Sequence, residues 1–170
     1  FYKNNNILNL FDDAFSLIPE RAKKICREII NNRIKIQLSC ITRLDCTDEE
    51  LLDLMKEAGF ISVGFSLESA SPNTLRVIGK VHKAEDIPSD GMEKESLFIE
   101  NLGKMSAYAK KIGIKSVFSS IMVGLPNETL EEANRTIETI DKNPDLDFYT
   151  HNLFNIYHGT PVFSTFHRYG

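Results

Sequence analysis

ISVGFSLESASPNTLRVIGK, residues 61–80, is the stretch on which the reading of this 170-residue chain turns. Ile61, Val63, Phe65 and Leu67 alternate with small residues at the period of a strand, and the run ends on Glu68 and Ser69 before Ser71-Pro72 opens a helix. A carboxylate therefore stands at the C-terminal end of a strand. In parallel barrels and open α/β sheets that edge gathers ligands, because its loops vary while the strands hold position. A carboxylate that closes an apolar strand must also find a partner or face a cavity. Glu68 is thus the first candidate site residue.

Downstream, Leu75, Val77 and Ile78 mark a short helix that Gly79 ends. Residues 81–93, with Pro88 and Asp90-Gly91, read as a loop or insertion. Leu97, Phe98, Leu102, Met105, Tyr108 and Ala109 predict a helix over 95–112, closed by Gly113. Residues 114–123 return to strand, with Gly124, Leu125 and Pro126 at the exit. Thr129 and Glu132 have capping-box spacing before a helix lined by Ala133, Ile137 and Ile140, which Asn143-Pro144 breaks. A last strand over 146–156 runs into the turn His158-Gly159-Thr160-Pro161.

Upstream, ILNLF at 7–11 is β-compatible and leads into Asp12-Asp13. Pro19 opens a helix with Ala22, Ile25, Cys26, Ile29 and Ile30 on one side, ended by Asn31-Asn32. Ile34, Ile36, Leu38 and Cys40 alternate as the next strand, followed by Thr42, Arg43, Leu44 and Asp45. Thr47 and Glu50 have capping-box spacing before a helix over 48–58, with Gly59 as its left-handed cap. KEAGFISV at 56–63 and KKIGIKSV at 110–117 share one pattern of basic helix end, glycine and apolar strand. Such joints are what a parallel sheet needs, because each strand is regained through a right-handed crossover. The expected fold is α/β, a run of strand–helix units forming one domain over residues 1–170.

Composition excludes several classes. The chain is 42% hydrophobic and 26% charged with a formal net charge of -4, which indicates one packed core and gives no footprint for a nucleic-acid backbone. Its apolar stretches are too short and too interrupted to span a membrane. Three cysteines, Cys26, Cys40 and Cys46, match neither a disulfide framework nor a CxxC clip, so reduced thiols in the cytoplasm are expected. An opening at Phe1, with neither Met nor a signal-peptide pattern, leads us to expect a piece of a longer protein.

If the sheet is parallel, Asp12-Asp13, Arg43 with Asp45, Glu68-Ser69, and Gly124, Leu125 and Pro126 converge on one edge. Asp12, Asp13 and Asp45 equally fit turn and cap roles, and Arg43 equally fits a rim ion pair. As a planar fork, Arg43 also suits a ligand carboxylate. His82, His151, His158 and His167 lack metal-ligand spacing, and neither GxGxxG nor GxxxxGK[ST] occurs, which weakens a nucleotide-loop reading.

FDDAF, R-L-D with TDEELL and KEAGF, VGFSLESASPNTL with G-K, IMVGLPNET and HGTPVF follow one another in that order. In this the chain resembles the radical S-adenosylmethionine superfamily over residues 7–163, and most of all the group that often carries an upstream cobalamin-binding domain. The resemblance implies a partial (β/α)6 TIM-like barrel, here strands two to six. The first strand and the CxxxCxxC loop that holds a 4Fe-4S cluster would lie upstream, and neither Cys40 nor Cys46 has the spacing of a ligand. It further implies reductive cleavage of S-adenosylmethionine, giving a deoxyadenosyl radical or methyl transfer to a small-molecule substrate. By family position Asp13 meets the cofactor's amino group, Arg43, Glu68 and Ser69 its carboxylate or ribose, and Gly124, Leu125 and Pro126 its adenosyl part. The piece itself is expected to be inactive and, with an open sheet edge, able to dimerise. Two other classes remain: a cluster-free half-barrel that binds a ligand or partner, and a barrel hydrolase using the acids. Iron content of a longer chain restoring the upstream segment separates them.

Overall fold

A computed structural model describes residues 7–81 and 93–168, so most of the expected loop at 81–93 lies outside the described residues. Among the described residues five strands, β1 (Ile7–Leu10), β2 (Gln37–Arg43), β3 (Phe60–Glu68), β4 (Ser116–Val123) and β5 (Phe148–Leu153), lie side by side in chain order. Every neighbouring pair is parallel. The sheet curls into an open half of a barrel. Between the strands run α1 (Pro19–Asn31), α2 (Glu49–Ala58), α3 (Pro72–Val77), α4 (Lys94–Lys111) and α5 (Leu130–Asp141), and α6 (Pro161–Thr165) follows β5. Among the described residues no helix is long and apolar enough to cross a membrane.

The core lies between the sheet and its helices. Cys40, Val63, Phe65, Leu67, Val117 and Ile121 from the strands meet Ala22, Cys26, Leu51, Leu52, Met55, Leu102 and Ala109 from the helices. Alternation sends the intervening residues to the concave face, where Gly64, Ser66 and Ser120 are small. Phe118 and Phe148 stack there with ring centroids 4.9 Å apart. A Cβ on Gly64 would sit 2.4 Å from the Phe118 ring, so the glycine makes room for that stack.

Several expected boundaries shift. β2 begins at Gln37 instead of Ile34, because Arg33 takes a left-handed turn at φ 53 and the Ile34 amide returns to the Ile29 carbonyl. The expected capping box at Thr47 and Glu50 is not formed. Asp48 caps α2 by accepting the Leu51 amide at 2.8 Å, and Glu50 accepts instead from Lys23 at 2.6 Å and Arg27 at 2.9 Å. Lys23 is only 6% exposed and also donates to Asp48 at 2.8 Å, so one buried cation fastens α1 to the start of α2. Gly59 does close α2, at φ 101, and Thr129 with Glu132 does form a capping box on α5. β4 starts at Ser116 because the Ile114 amide still closes α4 on Ala109, and β5 is six residues long.

Gly64→Ala is expected to destabilise the fold by about 1–3 kcal/mol, the usual cost of overpacking a filled interior. Urea denaturation measures this, and Gly64→Ala with Phe118→Leu should recover part of the loss.

Candidate active site at the carboxyl edge of the sheet

Parallel pairing brings the strand exits to one edge. Asp12 and Asp13 follow β1, Arg43 ends β2, Glu68 ends β3 and Gly124 follows β4. Arg43 pairs in register with Ser66, while Glu68 faces Ile121 across a register shift that leaves Leu67 bulged out of the ladder. The bulge bends β3 as it ends. Glu68 itself stands at φ 66, a left-handed conformation that costs a residue with a Cβ free energy and recurs at functional sites.

Glu68 is held by Lys80. The ammonium lies 2.9 Å from Glu68 Oε1 and donates to Ser66 Oγ at 3.1 Å, and both charged side chains are largely buried. Lys80 comes back over β3 because α3 is short and Gly79 turns the chain at φ 62. Ser66 in turn donates to the Thr42 carbonyl at 3.1 Å. Arg43 faces Asp45 with two parallel bonds, Nε to Oδ1 at 3.0 Å and Nη2 to Oδ2 at 2.8 Å, and donates further to the Lys80 carbonyl. The Asp45 hydrogen bond raises the guanidinium pKa above its ordinary value, against the opposing effect of burial. Arg43 is therefore built into the edge as a brace for Lys80, with its fork engaged by protein.

At the exit of β4 the chain makes a small anion nest. The Gly124 and Leu125 amides donate to Glu128 Oε2 at 2.8 and 3.2 Å, while Glu128 Oε1 is buried and, among the described residues, finds no hydrogen-bond partner. Gly124 has φ 78, and a Cβ there would meet nothing within 4 Å, so the backbone presents open surface. Leu125 is buried and Pro126 half-buried. Asn127 repeats the left-handed conformation at φ 61.

The remaining predicted residues are spread around these. Asp13 is exposed beside Asp12, which pairs with Arg21 at 3.2 Å. Ser69 is fully buried, bonded to Thr136 Oγ1 at 3.2 Å, so it faces the helix layer instead of the open edge. Cys26, Cys40 and Cys46 are buried, and none of them is joined in a disulfide. Burial pushes Cys26 up to about 11 and Cys40 higher still, which keeps both protonated and poor as metal ligands. Among the described residues no group of three His, Cys, Asp or Glu could hold a metal ion. Lys80 and Glu128 were not singled out from sequence. Lys80 stood in the quoted G-K directly after the helix-ending Gly79, and Glu128 lay inside IMVGLPNET, but no role attached to either there.

Comparison with known proteins follows the same outline. The family model of the radical SAM superfamily matches residues 6–140. An uncharacterized methyltransferase of Pyrococcus horikoshii is 30% identical over 153 residues, covering 90% of this chain and 30% of that protein. The hopanoid C-2 methylase of Rhodopseudomonas palustris is 27% identical over 171 residues, covering 100% of this chain and 29% of that protein. Among solved structures, the radical S-adenosylmethionine methyltransferase TsrM from Kitasatospora setae, with cobalamin and a 4Fe-4S cluster bound, superposes with a TM-score of 0.69 at 20% identity. That match covers 87% of this chain and 26% of TsrM, and shows a common fold. The chain thus spans about 30% of the length of the curated relatives it matches.

Arg43→Lys keeps the charge and loses the planar fork, and is expected to lower stability by about 1–3 kcal/mol because the Lys80 carbonyl and one Asp45 oxygen lose their donor. The check is chemical denaturation of the variant against the parent, and an unchanged midpoint would show that Arg43 is not the brace described.

Proposed function

The chain belongs to the radical SAM superfamily, and from that premise we propose that the carboxyl edge of its half-barrel binds S-adenosylmethionine within a larger enzyme. The observation that carries this reading is the Glu68–Lys80 pair at the exit of β3, held at 2.9 Å by a strained residue on the open edge. It offers a zwitterionic ligand both an acceptor and a donor. Gly124 supports the same reading, since nothing lies within 4 Å of where its Cβ would be and a flat group can approach the backbone there.

The residues then divide the work. Glu68 accepts from ribose hydroxyls or an ammonium, and Lys80 donates to a carboxylate. Arg43 orients Lys80 from behind, through the Lys80 carbonyl. Asp13, exposed after β1, takes the amino group. Gly124, Leu125 and Pro126 border the adenosyl part, and Ser69 fixes the turn that carries Glu68. When bound, S-adenosylmethionine and a 4Fe-4S cluster supply one-electron cleavage of a carbon–sulfur bond. The described residues hold no ligand set for that cluster, so no step is assigned to it on this chain.

Methyl transfer to a small molecule, which breaks the sulfur–methyl bond, is the preferred outcome, supported by the methyltransferase and methylase names of the relatives, with generation of a deoxyadenosyl radical by cleavage of the sulfur–C5′ bond as the alternative. Cobalamin, bound in the TsrM structure, would enter through another domain of the full-length protein. Three buried cysteines without a disulfide between them favour the cytoplasm. The outer edge of β1, where Ile7 is 50% and Leu8 44% exposed, suits a further strand or a second copy, and the piece alone would be inactive.

In the full-length enzyme, Glu68→Gln is expected to weaken S-adenosylmethionine binding by about 1.5–3 kcal/mol, the range for a hydrogen bond to a charged group. Calorimetric titration measures it. Normal affinity with a much lower melting temperature would make Glu68 a structural residue and end this reading.

A further inference from the structure

The exits of β3 and β4 are joined from the side by α5. Thr136, 2% exposed, sits two turns into that helix, and its Oγ1 accepts the Ala70 amide at 2.9 Å and pairs with Ser69 Oγ at 3.2 Å. Ser69 Oγ also accepts the Ser71 amide at 3.1 Å. One turn earlier, Glu132 divides its two oxygens between the exits. Oε1 accepts from Ser71 Oγ at 2.7 Å and Asn73 at 3.2 Å after β3, and Oε2 accepts the Thr129 amide at 2.8 Å after β4. Glu132 and Thr136 are four residues apart and so lie on one face of the helix, turned toward the segment that follows Glu68. These hydrogen bonds hold the Glu132 carboxyl down at about 2, the Thr129 amide first among them.

Helix capping accounts for only part of this arrangement. The bond from Thr129 completes the α5 capping box, but the bonds to Asn73, Ser71, Ala70 and Ser69 cross 59 to 67 positions of sequence. All four partners lie within five residues of Glu68. On its outer side the contact borders an open cleft of about 480 Å³ between α3 and α5, so its Glu132 half meets water while its Thr136 half is dry.

We propose that Glu132 and Thr136 are positioning residues, which couple the Glu68-bearing exit of β3 to the Gly124-bearing exit of β4 so that both present their ligand contacts at fixed spacing. Neither touches the ligand. The inference rests on the reading of those two exits as one S-adenosylmethionine site, and it adds a control on affinity from outside that site. Two strained residues, Glu68 at φ 66 and Asn127 at φ 61, need such support, because conformations of this kind persist only where the surroundings over-determine them.

The test uses the full-length enzyme. Thr136→Val removes the hydroxyl at nearly constant shape, and Thr136→Ser restores it. Thr136→Val should weaken S-adenosylmethionine binding about tenfold, the weight of one hydrogen bond, and Thr136→Ser should return it to the parent value. In the unliganded protein, Thr136→Val should also speed amide hydrogen exchange at both exits, residues 66–71 and 124–129. Asn73→Ala, an exposed change that leaves the fold intact, should do the same to a smaller degree. Parent enzyme that does not bind S-adenosylmethionine overturns the functional reading, and the exchange measurement then still judges the coupling. Unchanged exchange in both variants, or acceleration at one exit alone, overturns the coupling. So does loss of melting temperature in Thr136→Val with affinity unchanged.

Discussion

Parallel hydrogen bonding between β2, β3 and β4 is the constraint on which the carboxyl edge depends. Because neighbouring strands run the same way, each must be regained by a helix, and every loop that leaves a strand is delivered to the same side. Arg43, Glu68 and Gly124 come from strands far apart in sequence and reach one edge for no other reason. The core facing the helices is apolar and tightly filled, with Val63, Phe65, Leu67 and Val117 fully buried, so the register that sets this convergence is not free to slip. A one-residue slip would exchange the buried face of β3 for its small, polar one.

At the end of β3 the regular ladder gives way. A bulge at Leu67 and a left-handed Glu68 together turn the carboxylate across the edge toward Lys80, in place of the outward course an ideal strand would give it. Such a conformation costs on the order of 1–3 kcal/mol and requires compensation nearby. The ion pair with Lys80, the Ser66 bond and the contacts between the following turn and α5 supply it. Strain and compensation thus fall on the same few residues, and the site is rigid at the position where an exposed loop would ordinarily be loose.

Much of this was legible because it is periodic or capped. Strand alternation marked β3 and β4, and glycine after a basic helix end marked the two αβ joints at Gly59 and Gly113. Thr129 and Glu132 announced the start of α5. What stayed hidden depends on pairings across long stretches of chain. Glu50 has the spacing of a capping residue but is drawn off by Lys23, whose burial no local pattern reveals. Ser69 adjoins Glu68 in sequence yet turns into the helix layer, because Thr136 offers it a partner there. Lys80 is twelve residues from Glu68 and meets it only because α3 is short enough to fold the chain back over the strand. The family match over residues 6–140 covers every motif that carried the resemblance except HGTPVF at 158–163.

Most polar groups at the edge are already satisfied by one another, with the buried Glu128 Oε1 an exception among the described residues. Glu68 has Lys80, Arg43 has Asp45, and the Gly124 and Leu125 amides have Glu128. A zwitterion bound as proposed would have to exchange with these partners, so only the surplus over the bonds it replaced would appear as affinity. In return, the edge is organised before any ligand arrives, and little side-chain freedom is left to be lost on binding. The pairs differ in how readily they exchange. Arg43–Asp45 is bidentate and anchored to the backbone of Lys80, whereas Lys80 holds Glu68 through a single oxygen on a flexible stem. In the proposed site, exchange would therefore fall on Lys80 and Glu68 first, with Arg43 and Asp45 keeping the frame in which they part.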